Sequence, residues 1–157
     1  MEEELEAMPR LMLTLHVSCC GLEEKVWRDI QICNDATLQD FARTMLASLD
    51  IEDLSDYTII SAGEKFTERS RNGTGIYNSR EYTMADLYMD KGDYFILECG
   101  CLEYCVSITN AVVPQAETVP EHPRIIASAG GGIAEIDHLI ACALQAEYPE
   151  LVMQEKL

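Results

Sequence analysis

Two short runs near the amino end constrain this chain more than anything after them. In "LMLTLHVSC", residues 11–19, Leu11, Leu13, Leu15 and Val17 fall at every second position. In "VWRDIQIC", residues 26–33, Val26, Arg28, Ile30 and Ile32 do the same, with Trp27, Asp29 and Gln31 between them. A period of two marks a strand with one face on a core. The intervening "CGLEE" turns the chain, so the two runs predict an antiparallel hairpin. A lone hairpin is marginal in water, and the next segment supplies its cover. "NDATLQDFARTMLASLDI" repeats Leu38, Phe41, Met45, Leu46 and Leu49 at helical spacing, with Asp35 or Thr37 able to cap its start. A hairpin followed by a helix is a β-grasp-like beginning.

The remaining segments extend that start. "DYTIISAG" alternates and predicts a third strand, and residues 64–80, rich in Gly, Asn and Ser, predict a loop. "TMADLYMDKGD" predicts a short capped helix ending at Gly92. "YFILECGCLEYCVSITNAV" is too long for one strand and predicts a hairpin, 94–98 and 102–110, turning near Gly100. Pro114 and Pro120 mark a crossing loop. A last helix is predicted over about 133–146, with Ile136, Leu139, Ile140, Ala143 and Leu144 on one side. The whole reads as a single α+β domain over residues 11–148, its mixed or antiparallel sheet packed by two main helices. Residues 1–10 read as a frayed acidic leader and 149–157 as a tail. With 157 residues, 48% of them apolar, such a domain can bury a core without staples.

Charge bears on partners. A net charge of -17 repels phosphate backbones and anionic lipid, which argues against direct nucleic-acid binding. The local exception is the 64–80 segment, where Lys65, Arg69, Arg71 and Arg80 face only Glu64 and Glu68. A solvated loop and an anion-binding loop both fit that composition. No apolar run approaches the roughly 20 residues that span a bilayer, and the acidic start does not resemble a secretory signal. A cytoplasmic protein is expected.

Seven cysteines, an odd number without secretory features, are expected to be reduced. Cys99, Cys101 and Cys105 in "CGCLEYC" are the tempting cluster. On a straight strand they would share one face, but next-but-one positions lie about 6.8 Å apart. Zinc, with Zn–S bonds of about 2.3 Å, requires closer thiolates. A turn at Gly100 and a fourth ligand such as His16 or Cys20 would be needed. Small buried hydrophobes are the alternative. His16, His122 and His138 show no metal spacing. "AGGGIAEID" lacks the lysine and the spacing of a phosphate loop, and no short nucleophile motif is present. No catalytic residue and no cofactor is implied.

Several motifs resemble the plasmid Ri-type Orf-three-like family, often labelled as insertion-element passenger proteins. The residues concerned are Val26-Trp27-Arg28 with Ile30, then Thr37-Leu38 and Asp40, then Met84, Asp86 and Leu87. A glycine-containing hairpin turn at Gly100 and Pro123-Arg124 ahead of Gly130 complete the pattern, which spans about residues 11–145. The hairpin departs from it in reading "ECGCLEYCV", with Tyr104 near the family's tryptophan position, and "GGGIAEID" keeps only Glu135 of an acidic segment. The resemblance implies a binding or adaptor domain linked to plasmid or mobile-element genes, and no reaction. Trp27 is expected to pack as a structural apolar wall, and Arg28 to lie along apolar neighbours and pair with Asp40 or Asp86. A site, if one exists, is expected where Arg28, Tyr104 and the loop holding Arg69 and Arg71 converge, taking a protein partner. A metal-binding or enzymatic use of the cysteine hairpin is one alternative. An acidic nucleic-acid mimic that binds basic proteins is the other.

Overall fold

The computed structural model describes residues 10–68, 75–100, 102–114 and 122–147. The leader, the tail, Arg69, Arg71 and Cys101 therefore lie outside the described residues. The elements run β1 (Met12–Cys19), β2 (Trp27–Cys33), α1 (Leu38–Ser48), β3 (Thr58–Ser61), β4 (Glu64–Thr67), β5 (Ile76–Asn78), β6 (Tyr94–Cys99), β7 (Leu102–Val112), β8 (Arg124–Ala129) and α2 (Ile133–Glu147). They form one α+β domain around an eight-stranded sheet of order β5-β4-β3-β6-β7-β1-β2-β8. Every pair is antiparallel except β4 with β5, so the sheet is mixed.

The expected hairpin–helix start is present. β1 pairs with β2 from Met12↔Cys33 to Ser18↔Trp27, which puts Leu13, Leu15 and Val17 on the same face as Arg28, Ile30 and Ile32. α1 covers that face because its stripe (Leu38, Phe41, Ala42, Met45, Leu46) is fully buried against it. Thr37 caps the helix, its hydroxyl accepting from the Asp40 amide at 3.0 Å. β6 and β7 continue the wall with Phe95, Leu97, Cys99, Tyr104, Val106 and Ile108.

Three segments differ from the sequence reading. The segment expected to be a loop at 64–80 holds two strands, β4 and β5. Ala62 and Gly63, both at positive φ (51° and 84°), turn the chain within two residues, and Glu64 pairs straight back with Ser61. The expected helix ending at Gly92 is one 3-10 turn, Met84–Leu87, closed by a Thr83–Asp86 capping box. The segment beyond Pro123 is a strand, β8, laid against β2. The last helix, α2, is present where expected but packs sparsely: Ile136 is fully buried, Leu139 and Ile140 are half-buried, and Leu144 is 49% exposed.

Two of the three glycines ahead of α2, Gly130 and Gly132, are required by close approach of backbone. A Cβ on Gly130 (φ 79°) would sit 2.5 Å from the Lys25 carbonyl oxygen, and one on Gly132 would collide with the Leu49 carbonyl at 2.7 Å. The junction thereby docks on the end of α1, with the Ile133 amide donating to Leu49 O at 2.8 Å.

Candidate functional site

Strand alternation splits the predicted site residues between two faces. Arg28, 4% exposed, points into the core. Its expected carboxylate partner is not what it bonds. Nη1 donates to the carbonyl oxygens of Trp27 and Ala129, both at 2.9 Å, and Nη2 to those of Gly131 (3.0 Å) and Ser48 (3.3 Å). Those carbonyls belong to β2, β8, the glycine junction and the last turn of α1. A planar guanidinium with five forked donors suits such a convergence, and backbone carbonyls spread the charge without a counter-ion. Arg28 is thus a joint between elements, in place of the Asp40 or Asp86 ion pair.

Tyr104 is also buried, 1% exposed, on the same face. Its hydroxyl has no hydrogen-bond partner of normal geometry, although the Cys19 thiol lies beside it. Burial pushes the phenol well above its ordinary range; the Cys99 and Cys19 thiols add to this and the Arg28 guanidinium opposes it. Arg28 and Tyr104 therefore feel each other inside the core. The third expected partner is elsewhere. β4 lies five strands from β2 in the sheet order, or about 24 Å at a spacing of about 4.8 Å. The described part of the basic segment is tied to α1 instead, where Arg43 makes a two-pronged bond to Glu68 (2.7 and 2.6 Å).

The two described cysteines of the hairpin, Cys99 and Cys105, face apart. Cys99 is buried on the inner face of β6, whereas Cys105, next to buried Tyr104 and Val106, lies half-exposed on the outer face of β7. Turning the chain at Gly100 separates these two sulfurs by a full sheet thickness. Among the described residues no group of three or more His, Cys, Asp and Glu side chains is placed to hold a metal.

The outer face carries the feature that sequence reading missed. No described element lies over it, since both helices pack on the other side. Along its middle, Tyr94, Ser107, His16, Asp29 and Ala127 are successive register partners across β6, β7, β1, β2 and β8. His16 Nδ1 meets Asp29 Oδ1 at 2.6 Å, with the side chains 37% and 29% exposed. Trp27 leans on the His16 ring, centroids 5.4 Å apart and tilted by 39°. Trp27 is thus a half-exposed platform on the open face, and not the packed apolar wall that was expected. The outward register of the two strands was readable from the alternation, which gives His16 and Asp29 opposite each other once a hairpin is drawn.

This row contains serine, histidine and aspartate but is not a nucleophilic triad. The Ser107 hydroxyl donates to the His16 backbone carbonyl at 3.5 Å rather than to the imidazole, and the base–nucleophile bond is the defining contact. What the arrangement offers is an oriented imidazole, an indole and a carboxylate on an open sheet, with Glu98 and Glu103 paired two outward rows further along. Of two clefts, one stands apart from this row and the other shares Tyr94 with it. One, of 360 Å³, opens at the start of α1 between Arg10, Asp35, Asp40 and His122. The other, of 480 Å³, lies between Ala62, Tyr88 and Tyr94.

No helix among the described residues is long and apolar enough to cross a membrane. No family model matches the chain, and no curated protein matches it in sequence. In fold it is similar to a protein of unknown function from Methanosarcina mazei Go1, solved as a crystal structure, with a TM-score of 0.65 and 16% identity over 85% of this chain and 82% of that one. The likeness shows a shared fold.

Proposed function

We propose that this chain is a non-enzymatic binding domain that takes a segment of a basic protein on the uncovered face of its sheet, centred on Trp27, His16 and Asp29. The observation that carries the reading is the exposed aromatic–imidazole–carboxylate row on a face that neither helix covers. Tryptophan anchors are enriched where binding energy concentrates, and the acidic fringe with a net charge of -17 favours a cationic partner and repels nucleic acid. On the same footing we assign the chain to the plasmid Ri-type Orf-three-like family, and its partner to the products of plasmid or mobile-element genes. The support is the Val26-Trp27-Arg28 triplet, whose middle residue supplies the platform while its neighbours supply the core.

The test is capture of partners from a cell extract at low and moderate salt, with the parent chain and with Trp27→Ala and Asp29→Lys variants. The expected result is a partner retained at moderate salt and lost with either variant while the melting temperature stays within a few degrees. Retention by both variants would sink the assignment of this face. Broad capture of basic proteins that vanishes at moderate salt would replace it with the nucleic-acid mimic.

A further inference from the structure

The face of α2 turned away from the core carries a second constellation. His138 and Cys142 are four residues apart on this helix, which stacks them on one side, and both are exposed. His138 Nε2 and Cys142 Sγ lie 3.6 Å apart. That separation has a specific meaning. A tetrahedral zinc with a Zn–S bond of about 2.3 Å and a Zn–N bond of about 2.0–2.1 Å holds its sulfur and nitrogen roughly 3.5 Å apart. The pair already has the bite of a chelate, so ordering it costs little side-chain entropy on binding. Thiolate with imidazole is a donor set suited to zinc.

We propose that His138 and Cys142 form half of a zinc site, completed by the same pair from a second copy of the chain. Two donors from one chain leave two tetrahedral positions open, and no third His, Cys, Asp or Glu among the described residues is placed to fill them. The neighbours on this side, Ala134 and Ala141, are exposed and small, so a second helix can approach to within the 8–10 Å typical of packed helices. α2 is also free to take a partner, since Ile136 is its only fully buried residue among those described. On binding, each Cys142 thiol gives its proton to solvent and ligates as thiolate, and each His138 ligates through neutral Nε2, leaving the ion in a closed Cys₂His₂ set.

The test uses the full chain, reduced and metal-free, titrated with cobalt(II) as a spectroscopic stand-in for zinc and followed in parallel by sedimentation. Expected are tetrahedral visible bands with thiolate charge transfer that saturate at half an equivalent per chain, together with conversion of monomer to dimer. Cys142→Ser and His138→Ala should each abolish both signals while leaving the far-ultraviolet dichroism unchanged, because neither side chain is buried. Bands that persist in both variants would assign the metal to other thiols and overturn the proposal. So would saturation at one ion per monomer, or no tetrahedral band at all.

Discussion

The two helices of this domain share a sheet face and differ in almost everything else. α1 has 11 residues, a side-chain cap at Thr37, and five buried side chains. α2 has 15 residues, yet among those described only Ile136 is fully buried. The shorter helix is therefore the one that holds the core, and length says little about contribution. Helical stability in proteins comes mostly from packing an amphipathic face, and α1 presents such a face where α2 presents one anchor and a half-buried flank. Arg28 connects the two, since its Nη2 donates both to Ser48 at the end of α1 and to Gly131 ahead of α2.

That contrast can be broken experimentally. Phe41→Ala should cost the most, about 3–5 kcal/mol, because it empties a fully buried ring site that also packs edge-on against Phe95 at 5.6 Å. Urea unfolding of the whole domain measures it, and a loss below 1 kcal/mol would mean that α1 is not the keystone. Arg28→Met should cost about 3 kcal/mol, from buried carbonyls deprived of donors. Hydrogen exchange should show α2 and β8 loosened beyond α1; equal loosening would refute the joint role. Ile136→Ala should cost about 2 kcal/mol, the low end for such truncations, and should free α2 while the sheet stays protected. A domain-wide loss of protection would place α2 in the core on a par with α1.

The smallest effect is expected at Tyr104. Tyr104→Phe removes a buried hydroxyl without a normal partner and should stabilise the domain by about 1 kcal/mol. Linkage gives the pH dependence. The folded phenol holds its proton to higher pH than the unfolded one, so its contribution is constant below an unfolded value of about 10 and lost as pH rises above it. The parent should thus melt progressively lower above pH 10, and the phenylalanine variant should fall less steeply. Parallel curves would indicate that the phenol titrates in the folded chain as it does in the unfolded one, so that burial does not hold its proton.

How much of this was legible in the sequence depended on how many neighbours decide an element. β1, β2 and α1 carry long apolar periods, and the faces assigned to Arg28, Ile30 and Ile32 agree with the fold. β4 and β5 have four and three residues, too few for alternation to register, and β8 is held largely by backbone pairing with β2. The partners of Arg28 were illegible for a related reason. A carboxylate announces itself by residue type, whereas four backbone carbonyls carry no residue signature at all. The His16–Asp29 contact was within reach of the sequence, because both sit on the outward register of the β1–β2 hairpin. The same applies to His138 and Cys142, whose four-residue spacing puts them on one side of a helix.

The position of β1 in the sheet has a consequence for how the protein is made. β1 lies between β2, its neighbour in sequence, and β7, whose Ser107 is 91 residues beyond His16. At ribosomal rates of about 5–20 residues per second, those residues take on the order of ten seconds to appear. During that interval the nascent hairpin can fold and α1 can shelter its apolar side, but the β7-facing edge of β1 presents unpaired amides and carbonyls. An open edge of this kind is a template for pairing with another chain. Yield in overexpression should therefore respond to translation speed and to chaperones that occupy strand edges, even for variants whose final stability is unchanged.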